Sequence, residues 1–172
     1  MSSGKRKISG TVLFRETQQF RVQWLWWLII LCVVSSIGLI VGLAFTEQET
    51  RADSWIALAF VVPLEAGMLY LFYIVKLETV VSDEGVFYKW GPFFSQYNFI
   101  AVTDIAQVTL RKGPSLSYGF HLIPGYGTVH NTGPGKGIQF VLKNDKKIFI
   151  GTQKLNNFQS AIESIIGFKN LK

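Results

Sequence analysis

Two uninterrupted apolar blocks constrain this chain more than any other feature. Residues 24–45 read WLWWLIILCVVSSIGLIVGLAF, twenty-two positions without a charge, and residues 54–75 read SWIALAFVVPLEAGMLYLFYIV, twenty-two positions with one. At about 1.5 Å of rise per residue, a helix made from either block crosses the roughly 30 Å hydrocarbon layer of a bilayer with slight tilt. Trp24, Trp26 and Trp27 open the first block, Trp55 opens the second, and Tyr70 and Tyr73 close it. Such rings settle at headgroup level, where one side of the ring is wet. A cleaved signal peptide fits less well, because the first block starts far into the chain, is long, and lacks a small-residue cleavage site. The expectation is two transmembrane helices.

Only residues 46–53 join the blocks, so the helices must form an antiparallel hairpin with a short loop. The lead-in, residues 1–23, carries five basic side chains, the connecting loop carries Arg51 alone, and residues 76–172 carry eleven against six acidic ones. Basic residues are retained on the cytoplasmic face, which places both termini there and the 46–53 loop outside. The net charge of +6 is then first a topology signal and an attraction to anionic lipid, and nucleic acid is not an expected partner. Within the lead-in, the first nine residues read as a frayed basic tail and residues 12–21 as an interfacial helix.

Glu65 is the one ionisable residue inside a block, at about the depth of Ser35 and Ser36 in the other. A charge at mid-membrane costs on the order of 2.5 to 3.5 kcal/mol on insertion scales, so a neutral carboxyl or a buried partner is expected. Advancing 100° per residue, Ser35, Gly38 and Gly42 form a small-residue stripe on the first helix, and Ala59, Pro63, Ala66 and Gly67 form one on the second. Small stripes permit close backbone approach, so they are expected to face each other. Glu65 then turns away from its own hairpin, beside Leu58, Leu69 and Phe72. It becomes a candidate contact, with Ser35 and Ser36, for a second membrane protein or a second copy.

Beyond residue 75 the long apolar runs give way to short β-rich segments. Candidate strands are 76–81, 86–90, 93–99, 105–111, 116–122, 126–131, 137–142 and 147–151, punctuated by Gly-Pro, Pro-Gly and Asp-Glu-Gly turns. Leu155, Phe158, Ala161, Ile162 and Ile165 then recur at three- and four-residue spacing, the signature of an amphipathic helix. Thr152 is a candidate N-cap and Gly167 a stop. The expected fold is a membrane helical hairpin followed, over residues 76–172, by about seven antiparallel strands in a barrel capped by a C-terminal helix.

Three stretches, DEGVFYKWGPF, DIAQVTL and GIQFVLKNDKKIFIGTQKLNNFQSAI, resemble the pleckstrin-homology-like domains of small bacterial membrane proteins, and two helices ahead of such a domain are similar to an uncharacterised group of them. The resemblance implies a bacterial inner-membrane location and a cytoplasmic domain of that fold. Phosphoinositide-binding members of the wider family use cations around the first hairpin; here that turn is Ser82-Asp83-Glu84-Gly85, so phosphoinositide is not expected. Lys143, Lys146 and Lys147 read as lipid-facing basic groups.

Enzymatic chemistry has little to draw on. The single cysteine, Cys32, and two histidines, His121 and His130, leave no expected metal site or cofactor. No phosphate-binding loop precedes a helix, and no nucleophile elbow is present. The glycine-rich stretch 126–135 is a candidate binding loop, with Tyr126, His130 and Asn131 as its polar residues. The expected function is therefore a non-enzymatic, membrane-anchored interaction or assembly module, an accessory subunit or scaffold of an inner-membrane complex, with membrane lipids and another membrane protein or a second copy as partners. The alternative is a transport or proton-coupled component that uses Glu65 in an oligomer.

Overall fold

The computed structural model describes residues 4–19, 23–46, 51–114 and 118–167, and divides into two compact units, residues 21–74 and residues 1–20 with 75–172.

The first unit is the hairpin. Helix α1 spans Gln23–Thr46 and α2 spans Arg51–Ile74, both long and apolar enough to cross a membrane. The second helix therefore starts three residues earlier than the apolar block, and ends one residue before it. Residues 47–50 of the expected outer loop lie outside the described residues. Arg51 Nε donates to the Ala44 carbonyl at 3.1 Å, and Phe45 meets Trp55 edge-on, so the loop end of the hairpin is tied on both flanks. Outward side chains are large and apolar, Trp27, Phe60 and Leu64 among them, as a lipid-facing surface requires.

The packing seam corrects the helical-wheel expectation. Trp26, Ile29, Val33, Ser36, Ile40 and Ala44 of α1 are the more buried positions, as are Ser54, Leu58, Val61, Glu65, Leu69 and Phe72 of α2. Gly38, Gly42, Ala59, Pro63 and Gly67 are all exposed, and a Cβ built on any of the three glycines meets nothing within 4 Å. The small stripes thus point outward and do not pack. Glu65 instead turns inward and accepts a 2.6 Å hydrogen bond from the Ser36 hydroxyl, while Ser35 is exposed. The reason is energetic: a carboxyl at this depth needs a polar partner, and bulky side chains in the seam gain more dispersion contact than glycines would.

The second unit is built from ten strands and one helix. Two strands come from the lead-in, β1 (Gly4–Arg6) and β2 (Val12–Gln19). This corrects the expected frayed tail and interfacial helix. The alternation of Phe14, Glu16 and Gln18 inward with Leu13, Arg15 and Thr17 outward is a period of two, and it is strand-like once both faces have partners. The remaining strands are β3 (Lys76–Ser82), β4 (Gly85–Gly91), β5 (Tyr97–Ala101), β6 (Ile105–Lys112), β7 (Gly119–Ile123), β8 (Gly127–Asn131), β9 (Lys136–Leu142) and β10 (Lys147–Gly151). Seven match expected segments within a few residues, although residues 116 and 117 of the fifth candidate fall outside the described residues. The third candidate, 93–99, gives way to a turn over residues 92–96, and its strand starts at Tyr97.

Two five-stranded sheets result, with orders β1-β5-β4-β3-β2 and β6-β9-β10-β8-β7, and no closure into a barrel. All pairings are antiparallel except β8 with β10, which run parallel. That exception corrects the expected all-antiparallel pairing, since the chain passes from β8 to β9 through the turn 132–135 and β10 then fits between them. Helix α3 (Leu155–Ile166) places Phe158, Ala161 and Ile162 into a core shared with both sheets, and Phe158 stacks on Phe14 at 5.2 Å. The amphipathic expectation is met, but the cap is not: Lys154 precedes the helix without a side-chain cap, and the Thr152 hydroxyl donates to Glu16. The outer face of the first sheet is also covered, by Ile8 over Val80, Phe87 and Phe99, which explains why β3 and β4 are buried along nearly their whole length.

Candidate functional site

The chain leaves the β unit for the hairpin after Gln19 and returns at Lys76, and these two residues are register partners across β2 and β3. One end of the first sheet is therefore the end joined to the helices. At that end Leu77 pairs with Trp90 and Lys76 with Gly91, and a cleft of about 540 Å3 opens beside them. The β unit alone forms it. Val75, Trp90, Phe93, Phe94 and Phe120 supply the apolar lining, and Lys5, Ser95, Gln96, Asn98 and His130 the polar part. Phe93 and Phe94, 57% and 48% exposed, project from the turn between β4 and β5, where a solvated turn would carry polar residues.

His130 is the chemical centre of the cleft. It stands on β8, is 3% exposed, and is flanked by the rings of Tyr88 at 4.6 Å and Phe120 at 5.2 Å. Trp90 Nε1 donates to His130 Nδ1 at 3.0 Å. An indole N–H only donates, so Nδ1 must be the bare nitrogen, and the neutral ring carries its proton on Nε2. That Nε2 is buried and has no partner. Burial, and behind it the charge of Lys146, pushes the ring's pKa down to about 4, so the neutral form holds at neutral pH. Burial likewise pushes the Tyr88 hydroxyl up to about 12.

The other candidate residues are distributed differently. The expected binding loop is mostly strand β8 and its flanking turns, and it does not bring its three polar residues together. Tyr126 stacks under Arg111, 4.1 Å from guanidinium to ring centre, and donates its hydroxyl to the Lys112 carbonyl. Arg111 in turn donates to Gln139, whose amide donates back to the carbonyls of Gly125 and Tyr126. Those contacts hold the β7–β8 turn against the sheet. Asn131 is buried, accepts from the Gly133 amide and leaves Nδ2 unpartnered. Only His130 of the three belongs to the cleft.

Lys143, Lys146 and Lys147 are exposed on the β9–β10 hairpin. The Lys143 amide donates to Asp104, which follows β5, and β5 ends opposite Gly85. The hairpin is therefore near the Ser82–Gly85 turn, which lies at the far end of the first sheet from Lys76, while Lys146 also lines a smaller cavity with Lys5, Tyr88 and Asn98. Six residue steps of strand put that turn about 20 Å away from where the helices join. The turn itself is engaged: Asp83 accepts from the Thr11 amide and Glu84 from the Ser9 hydroxyl.

A second polar cluster is structural. Glu16 and Gln18 are buried on β2. Glu16 accepts from Thr152, the Gln153 amide and Gln18, while Gln18 also donates to the Gly151 carbonyl and accepts from Thr132. With these groups satisfied, the cluster ties β2 to the β8–β9 turn and to the lead-in of α3. On the surface, Glu78 binds Lys76, Lys89 and Tyr97. Burial raises its pKa, but the Tyr97 hydroxyl and the two ammonium groups outweigh this and hold it below the usual value. Among the described residues no cluster of metal-ligating side chains is present.

Sequence reasoning singled out none of the lining residues but His130: Lys5 fell in the basic tail, Val75 at the end of the second apolar block, and Trp90, Phe93, Phe94 and Phe120 in candidate strands. The available signal was the tripeptide Pro92-Phe93-Phe94, two aromatics at a turn. Compared with known proteins, the chain matches no family model, no curated protein and no solved structure.

Proposed function

We propose that this chain is a membrane-anchored assembly module: the helical hairpin fixes it in a bacterial inner membrane, and the cytoplasmic β unit docks a protein partner along strand β7. The reading treats the β unit as pleckstrin-homology-like, which its sheets followed by an amphipathic C-terminal helix favour, although two five-stranded sheets without closure depart from the expected barrel. The carrying observation is β7 itself. It is an edge strand whose side chains Phe120 and Leu122 are 64% and 80% exposed. Sheet edges are ordinarily guarded by charge, proline or a covering element, and an apolar one invites another strand or an apolar face. In this reading Phe93, Phe94 and Lys5 meet the headgroups, and Lys143 and Lys147 face the cytosol.

Extraction of the full chain in mild detergent, followed by mass spectrometry of what accompanies it, tests the reading. Leu122→Lys adds an edge charge without touching the core, and the expected outcome is loss of a defined partner. An unchanged set of companions overturns docking at β7.

A proton-coupled role has one observation in its favour, the buried Oε2 of Glu65, which has no partner in the hairpin. Two helices cannot line a pathway alone, so this role requires a homo-oligomer. Proton flux in liposomes that vanishes in Glu65→Gln would support it over the assembly role.

A further inference from the structure

We propose that the cleft between Trp90 and His130 binds a single-chain fatty carboxylate, its headgroup held by His130 and Lys5 and its alkyl chain laid along Trp90, Phe93 and Phe94. This goes beyond the docking of a protein at β7 and does not depend on it.

The donor is the first support. His130 Nε2–H is buried, unpartnered and part of a residue that lines the cleft, and a dry donor is unfavourable until an acceptor reaches it. Because Trp90 occupies Nδ1, the imidazole is locked as a donor towards any ligand. The ligand must therefore bring an acceptor atom. Charge narrows the choice, since among the described residues Lys5 is the one lysine or arginine that lines the cleft, and no acidic side chain does. An anion is favoured, and one cationic side chain suits a carboxylate better than a phosphate, which recruits several cations.

Beside Ser95, Gln96 and Asn98 the rest of the wall is mainly apolar and aromatic, and about 540 Å3 falls in the roughly 300–1,000 Å3 range of small-molecule sites. An alkyl chain has the shape and chemistry to fill it. Access also agrees. Val75 lines the cleft and follows the last residue of α2 directly, so chain length alone keeps Val75 within a few ångströms of the end of that helix. Exposed Phe93 and Phe94 beside a lysine are the composition that settles among headgroups. An amphiphile dissolved in the membrane then reaches the cleft without crossing water.

The test uses the full chain in phospholipid nanodiscs and the fluorescent fatty acid cis-parinarate, displaced by hexadecanoate. The expected result is one saturable site per chain above partition into empty nanodiscs. Lys5→Glu, an exposed strand position, and His130→Phe, which keeps an aromatic ring but removes Nε2–H, each weaken binding by roughly tenfold or more, the scale of one lost charge-assisted contact. Should His130→Phe fail to fold, Lys5→Glu decides alone. The proposal is overturned by the absence of saturable binding over empty discs, by binding that Lys5→Glu leaves unchanged, or by displacement with hexadecane as effective as with hexadecanoate. Displacement by short acidic peptides but not by hexadecanoate also overturns it and points to a protein ligand.

Discussion

A buried imidazole that stays neutral makes the stability of the β unit depend on pH. In the unfolded chain His130 takes up a proton near its ordinary value of about 6.5, whereas in the fold burial and Lys146 hold it down to about 4. Below the ordinary value the unfolded state therefore binds more protons, and stability falls as pH drops from about 6.5 to 4 at roughly 1.4 kcal/mol per unit. The expected outcome is a loss of about 1.5 kcal/mol between pH 7.5 and 5.5, read from thermal unfolding of the full chain in detergent, with His130→Phe flat over the same window. Glu78 acts in a separate range, since a carboxyl held below its usual value contributes stability that is lost only as pH falls through the acidic region. Glu65 invites a different expectation. The Ser36 hydroxyl lies 2.6 Å from Glu65 and 2.9 Å from the Val33 carbonyl, and it has one proton to give. Removing the carboxyl sends that proton back to Val33. Glu65→Leu should thus change hairpin stability by less than about 1 kcal/mol, in line with hydrogen bonds between membrane helices, and cross-linking to other membrane proteins should persist. A larger loss of stability would show that the Glu65–Ser36 pair is worth more than an ordinary hydrogen bond between membrane helices.

At the scale of elements, α3 shows what periodicity alone can and cannot deliver. Spacing of three and four from Leu155 to Ile165 identifies the helix and its buried face, because only one face of an amphipathic helix can enter a core. The same pattern says nothing of the surface it meets, which is Phe14 of the lead-in together with Phe140 of β9. Phe158 lies between them, fully buried. Phe158→Ala should cost about 3–5 kcal/mol by the usual scale for deleting a core aromatic, and limited proteolysis should then release the C-terminal segment first. Protection equal to that of the parent chain would place the weight of the α3 contact elsewhere. Seven of the ten strands were legible for similar reasons, since turn residues and β-branched runs are local signals. What stayed illegible depended on distant partners. Residues 12–19 mix apolar, basic and amide side chains, and their alternation gains meaning only when Glu16 and Gln18 find Thr132, Thr152 and Gly151 more than a hundred residues away. The hairpin seam failed for a related reason, as a wheel weighs residue size but not the need of Glu65 for a partner. The cleft escaped because its lining is drawn from five separate segments, and none carries a motif.

For the whole molecule, the β unit constrains membrane topology in a way that charge counting does not. Strand β2 precedes the helical hairpin and β3 follows it, yet they are antiparallel neighbours from Val12–Ser82 to Gln19–Lys76. A strand pair cannot form across a bilayer, so the flanks of the hairpin must share one side, and the apolar segments between them must cross an even number of times. The basic residues then choose which side, because cytoplasmic retention acts on Lys and Arg near the spans. These are two separate inferences, and cysteine labelling separates them. In a Cys32→Ser background, Lys7→Cys and Asn144→Cys occupy exposed positions before and after the hairpin, and Asp53→Cys an exposed position at the start of α2. A membrane-impermeant maleimide applied to intact spheroplasts should label position 53 only, and should reach 7 and 144 after lysis. Labelling of both 7 and 144 from outside would keep the β2–β3 pairing and reverse the charge-based orientation. Labelling of one but not the other would put the two strands on opposite faces of the membrane and rule out the sheet that joins them.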